Sequence, residues 1–352
     1  MLVELAFSAV GFAITALICY FITPFIIKAS LEAGMTTTDA HKVGRPIIGE
    51  PGGVAPLLAF IAGFASIVLL LVAYSTMGPP FAEVLISDEQ LAFLLGALLA
   101  VVIAGLIGLL DDVFGLVIRH RQKILLGFLP AFPLMILRVG QPQVDIPLVG
   151  IVNFDVTIGS IVVPLFAFVV VPLATNFAFN SFNMLAGYNG LETGMGIIMN
   201  LSIFTVAWYV GDTSIMLFTA SMTGALVAFF FFNKHPAKVL VGDAGTLMMG
   251  TALIVALILG NMEKLALGLF FLHFINFVLF FVYIYTKQTD KLADIEVDEG
   301  SGKVYLRPPC PYTIYWVLPY YFNLTERQNV YALLGIQTVI CAATVAWFIL
   351  LG

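Results

Sequence analysis

Charge is what this sequence has least of. Only 10% of its 352 residues are Asp, Glu, Lys or Arg, against 61% apolar residues and a mean hydropathy of +1.05. A soluble domain carries about a quarter charged residues. A chain this poor in charge cannot cover its apolar groups with its own polar surface, which excludes a soluble globular enzyme and a disordered protein. Cysteine is scarce too: Cys19, Cys310 and Cys341 are odd in number and far apart, which excludes a disulfide framework and a thiolate zinc site. Cations are in deficit, 15 Lys and Arg against 21 acids for a net charge of −6. Bulk charge therefore cannot hold nucleic acid, and an anionic substrate must be held locally, by a metal or a few cations. Internal repeats are missing, as are the paired broken helices of an inverted-repeat transporter.

What the sequence has is long apolar runs. A membrane span needs about 20 mostly apolar residues. About ten segments fit: 3–27, 54–74, 91–110, 124–138, 161–181, 192–210, 214–232, 245–260, 263–286 and 329–350. The pattern predicts an all-α polytopic membrane protein, with residues 1–352 as one integral-membrane domain. The first run has no basic leader and is too long for a cleaved signal peptide, so it is read as a helix. The fourth carries Pro130 and Pro133 and is expected to kink. Grouped by alternation, segments 28–53, 111–123, 182–191, 233–243 and 287–328 hold 13 of the 15 Lys and Arg, leaving Arg138 and Lys264 opposite. The positive-inside rule puts that first set in the cytoplasm and both termini outside. Residues 139–160 alternate apolar and polar around Gly150, which predicts a small external β-hairpin or a plain loop.

The ionisable residues gather at the cytoplasmic ends of spans, not at mid-membrane where ion pathways place them. The exception is His273, with Asn276, inside the ninth span, and a lone helical His is more often packed than functional. The general pattern suits a site at the membrane–cytoplasm boundary, where a lipid head group meets a soluble substrate. Three clusters stand out. In GLIGLLDDVFGLVIRHRQK, 105–123, Gly105 and Gly108 allow close helix approach, and Asp111 and Asp112 follow. Adjacent helical residues point about 100° apart, so the two acids should have different partners; an interfacial charge run that merely anchors the helix is the competing reading. In NFAFNSFNMLAGYNGLETG, 176–194, Asn176, Asn180 and Asn183 fall on one stripe. They serve either as interhelical hydrogen-bond glue or as neutral oxygen donors of the kind magnesium takes with its waters. Gly187, Asn189 and Gly190 then form a turn that can bring backbone close to a ligand. In NKHPAKVLVGDAGTLMMG, 233–250, Asp243 opens a span, as a helix cap or as a functional acid.

Together these clusters resemble the polyprenyl-phosphate N-acetylhexosamine-1-phosphate transferase superfamily over most of the chain. GLIGLLDDVFGL is similar to its paired-aspartate motif and VGDAGTLMMG to its single-aspartate motif. NSFNMLAGYNGLETG resembles in particular the dolichyl-phosphate N-acetylglucosaminephosphotransferase branch. DAHKVGRPIIGEPGGVAP looks like the first cytoplasmic loop, with Glu50, Gly52 and Gly53 in place. The resemblance implies a ten-helix fold and a phosphotransferase. Its expected reaction moves N-acetylglucosamine-1-phosphate from UDP-N-acetylglucosamine to a dolichyl-type polyprenyl phosphate at the cytoplasmic face, releasing UMP. That reaction opens a lipid-linked glycan pathway such as N-glycosylation.

The same resemblance implies that Asn183 and Asp243 bind Mg2+, with Mn2+ as the alternative. It makes Asp111 and Asp112 the essential acid pair, and Lys123 the lysine near the phosphates. Lys123 stands further from the acids than in the family, so Arg121 competes for that role. Asn189 matches a uracil contact, and Glu50, Asn180, Gly187 and Arg307 complete the expected substrate-binding set. The last cytoplasmic loop departs from the family: KVYLRPPCPYTIYWVLPYYFNLTERQ has no histidine, and Arg307 is the nearest cation that could serve. Within it Tyr305, Tyr312, Tyr315 and Trp316 are either sugar-stacking faces or an interfacial belt. Expected partners are the UDP-sugar, the polyprenyl phosphate and membrane lipid, without nucleic acid; a homodimer is left open. Alternatives are another UDP-N-acetylhexosamine, bacterial undecaprenyl phosphate as acceptor and, from another class, a secondary transporter.

Overall fold

The computed structural model describes residues 2–76, 86–114, 120–146, 149–158, 160–286 and 293–351. Helix α1 (Leu2–Glu32) leads into a small hairpin, β1 (Thr36–Thr38) and β2 (Ile47–Gly49), then α2 (Val54–Ser75) and α3 (Asp88–Phe114). The short α4 (His120–Leu126) and α5 (Phe132–Leu137) flank a 3-10 turn at Leu129–Ala131. Strands β3 (Gln143–Ile146), β4 (Gly150–Asn153), β5 (Val156–Ile158) and β6 (Ile161–Val163) form two antiparallel hairpins. A π-helical turn, Phe166–Val170, runs into α6 (Val171–Met184), followed by α7 (Leu191–Val210), α8 (Thr213–Asn233) and α9 (Gly242–Leu259). The chain ends with α10 (Glu263–Leu269), α11 (Phe271–Tyr285), hairpin β7 (Asp294–Asp298) and β8 (Lys303–Arg307), α12 (Ile314–Tyr321) and α13 (Glu326–Leu351).

The protein is an integral, multi-pass membrane protein. Among the described residues, eight helices have the length and composition to cross a bilayer, or nine when α10 and α11, bent by 60°, form one span. The expected fourth span is present as a shorter apolar run, Gln122–Leu137, broken where Pro130 and Pro133 were expected to kink it. The expected fifth span starts later, because residues 161–163 belong to β6. The alternation around Gly150 does form a hairpin, with Gly150 at φ +90°, and a second hairpin follows it.

Helices α8 and α9 are the centre of the bundle: 83% of the core window of each is buried, against 22% for α1 and 17% for α13. Because lipid tails are as apolar as leucine, helices here associate through small residues that let backbones meet. Helix α1 shows this: Ser8, Gly11, Thr15, Cys19 and Thr23 are buried on one face, while Leu17, Phe21 and Phe25 point outward. A Cβ on Gly224 of α8 would lie 2.2 Å from the Phe12 carbonyl of α1. Helix α3 meets the start of α9 in the same way, since a Cβ on Gly108 would stand 2.4 Å from the Ala244 nitrogen.

That last contact yields a prediction. Gly108→Ala forces α3 away from α9 and should cost about 1–3 kcal/mol or more, read as a lower melting temperature in detergent. Gly335→Ala, where an added Cβ meets nothing within 4 Å, should be neutral or stabilising by up to about 1 kcal/mol through helix propensity.

Candidate active site

Four chain segments converge at one end of the α3–α9 contact. Asp112, near the end of α3, accepts hydrogen bonds from the backbone N–H groups of Asp243 at 2.8 Å and Ala244 at 2.9 Å. These are orphan donors of the first turn of α9, so Asp112 caps that helix from another one. Gly242 (φ +67°) leaves the room, since a Cβ there would lie 2.7 Å from the Asp112 Oδ2. Asp111 points elsewhere, to Lys123 Nζ at 2.8 Å. The paired acids thus have different partners, as the helical phase angle predicts. Lys123, carried back by α4, also donates to Asp243 Oδ2 and so bridges acids from α3 and α9. Asn183, at the end of α6, donates to Asp243 Oδ1 at 2.6 Å and to Thr246 Oγ1 at 2.9 Å.

The first loop closes over this cluster by main-chain pairing. Leu240 N–H donates to the Gly49 carbonyl (3.1 Å), Gly52 N–H to Leu240 (2.8 Å) and Gly53 N–H to Val241 (2.7 Å). A side chain would break the fit: a Cβ on Gly53 would lie 2.3 Å from the Gly245 nitrogen. Glu50 is thereby set on the wall of a cavity of about 200 Å³, which Asn183, Gly187, Asn189, Glu192 and Asp243 also line. Burial, and then the nearby Asp243, push the Glu50 carboxyl above its ordinary value.

The opposite wall is the turn between α6 and α7. The Gly187 N–H in it donates to Glu192 Oε1 at 2.6 Å. The Asn189 N–H donates to Glu326 Oε1 at 2.8 Å, and its side-chain Nδ2 to Asp39 Oδ2 at 2.9 Å. Lys42 completes the contacts, donating to Asp39 Oδ1 at 3.2 Å and to Glu326 Oε2. His41 packs edge-on to Tyr188 with ring centroids 4.9 Å apart, and burial holds its imidazole below its ordinary pKa.

The structure therefore brings Asp111, Asp112, Lys123, Asn183 and Asp243 together, with Glu50, Gly187 and Asn189 on the adjoining cavity. Asn180 lies apart from the cavity lining: its Nδ2 donates to the carbonyl and Oδ1 of Asn176, both at 3.0 Å, and Asn176 donates to the Ile124 carbonyl. Those two amides are glue between α6 and α4. Arg307 sits on β8, where its Nε donates to Glu296 (2.6 Å) and a terminal nitrogen to Asn323 (2.9 Å); it does not line the cavity. Tyr315 packs under Gly187 and against Tyr188, and Trp316 is 1% exposed, so neither offers a free stacking face. The side chain of Arg121, the competing cation, lies outside the described residues, as does Arg119. His273 is stacked on Phe182 with centroids 4.6 Å apart, and Asn276 ties the Met184 carbonyl to the Ile314 N–H. Sequence reasoning missed Asp39, Lys42, Glu192 and Glu326. Asp39 and Lys42 stand in the loop singled out for Glu50. Glu326 stands inside a Thr325–Gln328 capping box, a signal that marks a helix start without disclosing a partner 284 residues away.

The donor set fits magnesium. Mg2+ is held by one or two carboxylates together with waters and substrate phosphates, and here the Asp243 carboxylate and the Asn183 amide adjoin on the cavity of about 200 Å³, which has room for waters. Among the described residues no three His, Cys, Asp or Glu side chains form an all-protein metal cage, and magnesium at a phosphate site does not require one.

Comparison with known proteins identifies the family. Residues 94–261 match the family described as glycosyl transferase family 4. A Sulfolobus acidocaldarius protein is 32% identical over 272 residues, covering 77% of this chain and 75% of its own length. One from Saccharolobus solfataricus is 29% identical over 334 residues, 94% of each chain. Both are named provisionally as UDP-N-acetylglucosamine–dolichyl-phosphate N-acetylglucosaminephosphotransferases. The Saccharomyces cerevisiae protein of that name is 27% identical over 300 residues, 77% of this chain and 66% of its own length.

Two predictions rest on this geometry. Asp112→Ala strips both caps from α9 and should destabilise by about 1–3 kcal/mol, whereas Asp111→Asn, which leaves Lys123 paired with Asp243 and keeps an amide oxygen beside it, should lower the melting temperature less than Asp112→Ala does. Glu50 supplies a pH dependence. With its native pKa raised from the ordinary 4.5, the folded protein keeps a proton that the unfolded chain releases, so this group's contribution to stability falls as pH rises above 4.5. Glu50→Gln should therefore gain stability relative to wild type across that window and level off beyond it, measured by thermal unfolding at stepped pH.

Proposed function

The chain belongs to glycosyl transferase family 4, and from that premise we propose that it transfers N-acetylglucosamine-1-phosphate from UDP-N-acetylglucosamine to a dolichyl-type polyprenyl phosphate, releasing UMP. The observation that carries the reading is the meeting of Asp111, Lys123, Asn183 and Asp243 beside a cavity walled by Glu50 and the Asn189 turn. This end of the bundle faces the cytoplasm, with ten spans in all and both termini outside. The asymmetry of 13 cations against 2 supports that orientation.

In the proposed reaction an oxygen of the lipid phosphate attacks the β-phosphorus of the donor. The bond from that phosphorus to the oxygen shared with the α-phosphate breaks, and UMP leaves with the electron pair. Two anions must meet, so the main task is charge. Lys123 sits where it can offset charge on the transferring phosphoryl group while its acids hold it in place. Asp111 orients Lys123, and Asp112 fixes the first turn of α9, which carries Asp243. A divalent cation held by Asp243 and Asn183 would supply neutralisation of the diphosphate and of the departing UMP. A strong general base is unnecessary, since a phosphate monoester has a second pKa of about 6 and is largely ionised at neutral pH. Asn189 contacts the uracil.

The reading is tested with donor labelled with 32P in the β-phosphate. Purified protein and dolichyl phosphate should move the label into the organic-extractable lipid and release unlabelled UMP. Label that leaves as UDP, or that stays in the donor, would overturn it. Turnover should need a divalent cation and stop with EDTA. Asp243→Ala and Asn183→Ala should each lower kcat by about 100-fold or more; an EDTA-insensitive rate would remove the metal from the proposal.

A further inference from the structure

The contacts of Asn189 form a closed ring. Asp39 meets Lys42 with both carboxylate oxygens at 3.2 Å and accepts from the Asn189 side chain at Oδ2; Glu326 gives one oxygen to Lys42 and the other to the Asn189 backbone N–H. Asp39, Asn189 and Glu326 are 5%, 4% and 3% exposed, so water offers little competition. The ring joins the first loop, the α6–α7 turn and the start of α13.

Ring chemistry fixes the side-chain amide. A carboxylate only accepts hydrogen bonds, so Asp39 obliges Asn189 to turn its NH2 inward. Lys42, which can only donate, takes the same carboxylate as its acceptor. The Asn189 Oδ1 accepts no hydrogen bond among the described residues, and the residue lines the cavity. A fixed acceptor is thus presented to whatever lies there.

We propose that Asp39, held by Lys42, is the specificity-determining residue for the nucleobase, acting by locking the Asn189 carbonyl oxygen toward the ligand. This rests on the proposed reading of Asn189 as the uracil contact. Once its N1 bears the ribose, uracil has a single N–H, at N3, so an acceptor that hydrogen-bonds the base must meet that group. Cytosine carries a lone pair at N3, and two acceptors facing each other leave both unpaired. Sites built to bond a ligand N–H discriminate strongly against analogues that lack it. Asp39 touches no base; it is a positioning residue. Glu326 holds the turn through its backbone and has no influence on which way the amide points.

The two carboxylates can be told apart by experiment. The probes are UDP, CDP and N3-methyl-UDP, titrated by calorimetry into the full-length protein in detergent. Wild type should bind UDP at least about tenfold more tightly than CDP or N3-methyl-UDP. In Asp39→Asn, Lys42 claims the only side-chain acceptor, the new amide points its NH2 at Asn189, and the Asn189 amide turns over to present a donor. CDP should then bind as tightly as UDP or more tightly. Glu326→Gln should weaken both nucleotides by a similar factor and keep their ratio, which a purely structural role for Asp39 would also give in Asp39→Asn. A wild type without preference for UDP overturns the functional reading and the selector together. A wild-type preference that persists in folded Asp39→Asn overturns the selector alone. Should that variant fail to fold, wild-type protein that binds N3-methyl-UDP as well as UDP overturns it independently.

Discussion

Everything at the candidate site hangs on one carboxylate. Asp112 satisfies two backbone donors of α9 from the end of α3, and by doing so fixes where Asp243 stands relative to Asp111. The two helices can come close enough only because Gly108 and Gly242 have no side chain at the contact. With the helices set at that distance, Lys123 can bridge Asp111 and Asp243. A buried acid cluster lacking its cation is costly, so the position of α4 follows from the clamp. The first loop follows too, because the strand-like segment before α9, residues 239–241, is the edge on which Gly49, Gly52 and Gly53 pair.

The bundle supports this arrangement from the middle outward. Helices α8 and α9 are buried on nearly all sides; the segment joining them carries the edge that receives the first loop, and α9 opens on Gly242, the glycine that admits Asp112. The more exposed helices α1 and α13 serve differently. Helix α1 packs through small polar residues, with its bulky side chains outward. Helix α13 is peripheral for most of its length, yet its first residue, Glu326, reaches the cavity turn. A chemically important contact therefore sits on one of the least buried helices, because the membrane boundary, rather than the bundle axis, is where charge is tolerated.

Much of this was legible in the sequence. The apolar runs marked the membrane helices, and the prolines marked the break at Leu129–Ala131. The 100° step between neighbouring helical residues separated the tasks of Asp111 and Asp112. Their residue types and places at span ends mark Asn183 and Asp243, and the fold brings the two within a hydrogen bond. Asn180 was harder, since helical phase places it on the stripe with Asn183 but cannot say where the stripe stops facing the cavity; α4 lies against its outer part. Arg307 is the nearest cation in a loop without histidine, and its engagement by Glu296, two residues along the neighbouring strand from its direct partner Asp294, depends on a hairpin register. Lys42 and Glu326 could not be matched by local pattern at all, because their pairing spans almost the whole chain.

The glycine-rich turn between α6 and α7 has one more consequence. Glycine turns are commonly read as anion nests, concavities of free backbone N–H groups that wrap a phosphate. Here two of those donors are already occupied, Gly187 by Glu192 and Asn189 by Glu326. The occupants are themselves acids, so the turn would repel a phosphate rather than cradle it. It is suited to meeting an uncharged part of a ligand, so a negatively charged part would have to settle away from it, toward the side of the cavity where Asn183 and the Lys123-paired Asp243 stand.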